Sequence, residues 1–231
     1  MSLNVRPYSS NTVPASAGAG IQGSVEAHRV LRNTYLLLAM TLAFSGAVAG
    51  VSAALNLPYL GPVITLIGYF GLLFAVTKFR DSGIGVVLVF ALTGFMGYTL
   101  GPLIHAYLGL ANGATIVTMA MGGTAAIFFA MSAIALTTKR DLGFLGNFLA
   151  VGLLVAFLAG LAALFFNVPM LALAVSAAFL LLSSGVILWQ TNSIIRGGET
   201  NYVMATVTLY ISIYNLFVSL LHLLGALSGD D

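Results

Sequence analysis

Seven long apolar stretches without a single charged side chain dominate this sequence, separated by short polar breaks. They fall at about 34–55, 58–77, 84–105, 113–136, 144–166, 169–192 and 202–225. An α-helix needs about 20 apolar residues to cross the hydrocarbon of a bilayer, and each stretch is close to that length. Backbone in hydrocarbon must satisfy its own hydrogen bonds, so only helices and closed barrels span it. Barrel strands alternate polar and apolar residues over about 10 positions, whereas these runs are unbroken. Charged residues make up only 6% of the 231, against roughly 25% in a soluble domain. That is too few to cover a water-soluble globule. The expected fold is an all-α membrane protein, a bundle of seven transmembrane helices.

The breaks carry turn chemistry: Asn56-Leu57-Pro58, Lys78-Phe79-Arg80-Asp81, Ala111-Asn112-Gly113, Lys139-Arg140-Asp141, Asn167-Val168-Pro169 and Gly197-Gly198. All are short, so consecutive helices run antiparallel and residues 25–231 form one transmembrane domain. Residues 1–24 are rich in Ser, Gly, Ala, Asn and Pro and lack the apolar core of a signal peptide. They read as a flexible tail. The chain has no cysteine, which excludes disulfides and thiolate chemistry.

The basic residues orient the bundle. Arg6, Arg29 and Arg32 precede the first span, Lys78 and Arg80 sit in the second break, Lys139 and Arg140 in the fourth, and Arg196 in the sixth. The other three breaks and the C-terminus hold none. With seven spans all eight fall on one side, and six or eight spans would scatter them. Positive charge marks the cytoplasmic side, so the N-terminus is expected in the cytoplasm and the acidic C-terminus (Asp230, Asp231) on the periplasmic side. The same residues can meet anionic lipid headgroups, and topology alone is a sufficient reason for them.

Charge-free spans exclude a good deal. Pumps and exchangers place ionisable residues at mid-membrane, and calcium takes oxygen ligands that usually include carboxylates. The polar residues that remain are periodic. Thr208, Ser212, Asn215, Ser219 and His222 share one face of the seventh span. Ser176, Ser183 and Gln190 step by seven on the sixth, and Gly94, Tyr98, Gly101 and His105 share a face of the third. Such stripes should face one another or a wet cavity, so the three are expected to line the bundle interior, either as interhelical hydrogen bonds or as a solvated cavity. Gly97 and Gly101 form a GxxxG, which suits close helix packing; a hinge at Gly101-Pro102 is the other reading.

A serine protease would need Ser183 or Ser184 beside His222. Counted from a turn at Gly197-Gly198, Ser184 and His222 differ by about 15 Å in depth at 1.5 Å per residue, too far for a hydrogen bond. No HExxH zinc signature occurs. His105 and His222 sit near the outer helix ends and read as interfacial. No catalytic residue, cofactor, metal or nucleic-acid partner is expected.

Several segments resemble the Bax inhibitor-1 family. They are Thr93-Gly94-Phe95-Met96-Gly97-Tyr98-Thr99-Leu100-Gly101-Pro102, the run Phe128-Phe129-Ala130-Met131-Ser132-Ala133, and Leu136-Thr137-Thr138-Lys139-Arg140-Asp141-Leu142. The stretches Ser183-Ser184-Gly185-Val186-Ile187-Leu188-Trp189-Gln190-Thr191, Gly197-Gly198-Glu199-Thr200-Asn201-Tyr202 and Leu209-Tyr210-Ile211-Ser212-Ile213-Tyr214-Asn215-Leu216-Phe217 are similar to its bacterial YccA branch, the modulators of the membrane protease FtsH. The likeness runs from about Arg29 to Gly225. It implies an inner-membrane, non-enzymatic regulator whose partners are FtsH, accessory membrane proteins of that protease, and membrane lipids. The alternative it implies is a pH-sensitive calcium leak built on two aspartates. At the corresponding positions this chain has Gln190 and Ser212, which do not titrate, so paired-carboxylate gating is lost. Around a tight turn Gln190 should lie level with Ala205, about 10 Å in depth from Ser212, whereas the family pattern brings them together. Any polar cavity is expected around Gln190, Ser212 and Asn215, with Ser183 and Tyr210 near.

Overall fold

The structure is a computed structural model that describes residues 15–229. Arg6, Asp230, Asp231 and the first fourteen positions of the expected tail lie outside it. Among the described residues every regular element is a helix: α1 (Ala15–Ala54), α2 (Gly61–Phe79), α3 (Gly83–Leu108), α4 (Gly113–Thr137), α5 (Phe144–Phe166), α6 (Pro169–Ile195) and α7 (Tyr202–Ser228). All seven are long and apolar enough to cross a membrane.

The bounds follow the apolar runs within a few residues, with two informative exceptions. Helix α1 starts at Ala15, so residues 15–24 are helical where a flexible tail over 1–24 was expected. Alanine is the best helix former, and once the apolar run anchors a helix each added residue gains a hydrogen bond at little cost. Helix α6 extends to Ile195 because its last turn is not a loop: Thr191, Asn192 and Ile194 are buried. It then stops on a glycine. Gly197 adopts φ +75°, its N–H donates to the Ile194 carbonyl, and the Gly198 N–H donates to Ser193. This is the Schellman geometry, which favours glycine because an L side chain is strained at positive φ.

Helix α7 forms the axis. It packs against α6, α4, α1 and α3 and is buried nearly all round over Val203–Tyr210, where only Met204 and Thr208 are partly open. Helices α2 and α5 are outermost, resting on α3 and α6 respectively. Their outward faces show Ile64, Ile67, Phe70 and Phe74, and Phe148, Val151, Leu154 and Leu158. Such faces are exposed apolar surface in water but solvent-matched in lipid.

The tightest helix pair is α1 with α3. A Cβ on Gly97 would run into the Ser45 carbonyl, and one on Gly101 into the Ser52 hydroxyl. The GxxxG therefore serves close packing, and α3 continues through Pro102 to Leu108. In lipid, where burial of apolar surface gives no drive, such close backbone approach supplies the dispersion contacts that hold helices together.

Candidate functional site

Polar side chains inside the bundle form separate hydrogen-bonded joints. At the first, Tyr210 of α7 donates to the Thr93 carbonyl of α3 at 3.2 Å and lies 2.5 Å from the Ser45 hydroxyl of α1. A phenol has one proton, so Ser45 donates to Tyr210. At the second, Tyr35 of α1 donates to Ser132 of α4 at 3.0 Å and meets Thr191 of α6 at 3.1 Å. The same count makes Thr191 the donor. Thr99 and Tyr214 join α3 to α7 at 3.2 Å.

Tyr210 therefore serves the α1–α3–α7 joint. The α3 stripe also faces α1 and its loop: Gly94 abuts Phe44, Tyr98 donates to the Pro58 carbonyl at 3.0 Å, and His105 Nδ1 donates to the Ala53 carbonyl at 3.1 Å. The expectation that three stripes line one interior is thus corrected. The α3 stripe is used up by the close α1–α3 packing, and only the α6 and α7 stripes share a seam.

The register of that seam is set by Ser176 of α6, whose hydroxyl lies 3.0 Å from His222 Nδ1 of α7. Ser176 also donates to the Ala172 carbonyl, which leaves its oxygen to accept from the imidazole. Antiparallel counting from this pair puts Ser183 level with Asn215 and Gln190 level with Thr208. Ser212 then lies four residues from the level of Gln190, about 6 Å in depth. The connection at 196–201 is longer than a tight turn, so Gln190 lies level with Thr208 rather than with Ala205. Ser212 turns its hydroxyl back to the Thr208 carbonyl of its own helix at 2.8 Å. His222 is two turns from Ser184, whose hydroxyl is spent on the Leu180 carbonyl.

Three buried polar atoms have no hydrogen-bond partner among the described residues: Thr34 Oγ1, Ser183 Oγ and Gln190 Nε2. Two of them share a junction. Val30, Ile194 and Ala205 pack together where α1, α6 and α7 meet. One turn deeper on the same faces stand Thr34 and Gln190. Asn215 is half-buried. Two clefts open elsewhere on the surface. One, of about 490 Å³, lies by Asn167, Ser176 and His222. The other, of about 720 Å³, lies between the start of α1 and the end of α4. Neither is lined by Gln190, Ser212, Asn215, Ser183 or Tyr210.

The basic loops are assembled at one end of the bundle. Asn201 caps α7 by accepting from the Met204 N–H at 3.0 Å and donates to Asp81 at 2.7 Å, which ties the Lys78–Asp81 loop to the α6–α7 loop. Asn192 accepts from the Leu142 N–H at 3.1 Å and donates to the Arg140 carbonyl at 3.3 Å, and Arg196 donates to the Lys139 carbonyl. Arg29 and Arg32 stand at the same end on α1, beside Leu136 of α4. Asn192 and Asn201 were not foreseen as organising residues. Their signal is a side-chain amide at each helix boundary, the position where free backbone groups need partners.

Comparison with known proteins places these features in a lineage. Residues 27–229 match the family described as inhibitor of apoptosis-promoting Bax1. An uncharacterised protein of Pseudomonas aeruginosa is 55% identical over 206 residues, covering 89% of this chain and 93% of that one. The Escherichia coli K12 protein named modulator of FtsH protease YccA is 50% identical over 203 residues, 88% of this chain and 92% of its own. The counterpart in E. coli O6:H1, at the same identity and coverage, is named inner membrane protein YccA. This chain belongs to the Bax inhibitor-1 family.

Proposed function

We propose that this protein is a non-enzymatic regulator in the bacterial inner membrane that binds FtsH and modulates its action on other membrane proteins. The observation that carries the reading is the 50% identity, over nine-tenths of both chains, to a protein named for modulating FtsH. Its N-terminus and basic loops face the cytoplasm, where the proteolytic machinery of a membrane AAA protease works, and its C-terminus faces the periplasm. The Asn192, Arg196 and Asn201 contacts hold three loops as one cytoplasmic surface. Residues 1–14 precede α1 and offer an end to grip. Seven helices tied by buried hydrogen bonds resist extraction, so the chain would occupy the protease while yielding slowly. Accessory membrane proteins of FtsH and the surrounding lipids complete its partners.

The test is recovery of FtsH with the full chain from native membranes in mild detergent, against a chain lacking residues 2–14. That deletion leaves α1 whole. Tail-dependent recovery of FtsH supports engagement through the terminal segment. Equal recovery moves the contact to the loop surface, and no recovery from either chain overturns the reading. The cation-leak alternative is weaker here, because Gln190 and Ser212 carry no titratable group and lie on different levels. Calcium flux in liposomes containing the purified protein would favour it.

A further inference from the structure

The cleft between α1 and α4 has features that the FtsH reading does not use. It has a volume of about 720 Å³ and is lined by Val25, Leu31, Tyr35 and Leu136, with His28, Arg29 and Arg32 at its rim. Close backbone approach between α1 and α4 is sparse. They are joined deeper, where Tyr35 reaches Ser132 at 3.0 Å and its ring lies 5.9 Å from that of Phe128. Between that joint and the start of α1 lies the cleft, a wedge whose apolar lining comes from Leu31 and Tyr35 on one helix and Leu136 on the other. The two guanidinium groups are exposed. Neither has a hydrogen-bond or ion-pair partner among the described residues, in contrast to Arg80, paired with Asp81, and Arg196, committed to the Lys139 carbonyl. The nearest acid in sequence, Glu26, does not line the cleft.

We infer that this wedge is a binding site for one anionic diacyl phospholipid, its phosphate held by Arg29 and Arg32 and an acyl chain laid along Leu31, Tyr35 and Leu136. The two arginines lie one turn apart on α1, at the end of the bundle that carries all the basic loops. A basic pocket between transmembrane helices at that depth suits an anionic headgroup. Guanidinium forks match phosphate oxygens. The apolar floor explains why the ligand is a lipid and not a free anion. A zwitterionic lipid would bring its own ammonium against the arginines and lose the advantage. The site stands independently of FtsH binding.

Native mass spectrometry of the purified full-length protein in detergent, titrated with phosphatidylglycerol and separately with phosphatidylethanolamine, tests this. The expected result is one retained phosphatidylglycerol, bound about tenfold or more tightly than phosphatidylethanolamine. Arg29→Gln with Arg32→Gln should cut the preference to about twofold or less. Lys139→Gln with Arg140→Gln, which removes equal charge from the same end, should leave it intact. Leu136→Trp should weaken phosphatidylglycerol binding with both arginines in place, and this variant carries the test if the double arginine variant does not fold. Equal retention of the two lipids overturns the proposal. So does an unchanged preference in the Arg29/Arg32 variant, or an equal loss in the Lys139/Arg140 variant. Full competition by excess glycerol phosphate would show a phosphate site and overturn the lipid assignment.

Discussion

The Tyr210 hydroxyl accepts from Ser45 on α1 and donates to the Thr93 carbonyl on α3, so one side chain on the axial helix holds two others in register. Tyr210 is 2% exposed, so its hydroxyl is shielded from bulk solvent. Tyr210→Phe keeps the ring and removes both. The expected loss is about 1–2 kcal/mol, since interhelical hydrogen bonds in membranes average about 0.6 kcal/mol and reach about 1.7 kcal/mol. Thermal unfolding in detergent should show the loss, and Ser45→Ala should give a smaller one.

The glycines of α3 make a sharper case. Gly97→Ala and Gly101→Ala each force a Cβ into α1, at the Ser45 carbonyl and the Ser52 hydroxyl. Overpacking of this kind typically costs about 1–3 kcal/mol. Both should lose stability, because Gly97 meets the Ser45 carbonyl and Gly101 meets Ser52 Cβ and the Ala53 backbone nitrogen, atoms that cannot rotate away. Gly122→Ala meets nothing within 4 Å and should leave the unfolding temperature unchanged or slightly raised, as helix propensity favours alanine by about 1 kcal/mol. If all three behave alike, close α1–α3 packing is not what these glycines provide.

Gln190 should be dispensable for stability. Its Nε2 is buried without a partner, and an unsatisfied buried donor costs about 1–3 kcal/mol. Gln190→Met keeps the length of the side chain and removes the amide, so it should be neutral or stabilising. A loss of more than about 1 kcal/mol would show that the amide is hydrogen-bonded in the membrane, with Thr34 one candidate at the same junction.

Asn201 joins two loops and caps a helix. Asn201→Ala should cost about 1 kcal/mol for the lost cap and free the Asp81 loop. Asn201→Asp keeps an acceptor for Met204 but sets a carboxylate against Asp81, so it should retain the cap and still release the loop. Proteolysis at Lys78 and Arg80 in oriented vesicles reads both effects. It should rise in both variants, and only in vesicles whose cytoplasmic face is outward.

Much of the architecture is legible along the chain. Each apolar run is long enough to span, and a span can only be a helix, so the seven helices follow from hydropathy and length. The grouping of Lys78, Arg80, Lys139, Arg140 and Arg196 at one end follows from parity alone. The lineage is also local in origin, carried by short motifs in α3, α4, α6 and α7 and in the breaks after α4 and α6.

What tertiary structure decided is which polar groups meet. Periodicity puts Ser176, Ser183 and Gln190 on one face of α6, but it cannot give the offset of α6 against α7. That offset is set by the Schellman stop at Gly197, the run to Asn201 and the Ser176–His222 contact, and it places Gln190 opposite Thr208 instead of Ser212. Tyr210 lies on a face of α7 different from that of Ser212, so rotation about the helix axis sent it to Ser45 and Thr93. The wedge at Arg29 and Arg32 exists only because the fold brings Leu31 and Tyr35 of α1 near Leu136 of α4. A linear pattern states which residues share a face. The depth, rotation and separation of two helices come from side chains far apart in the sequence, and those choose the partners.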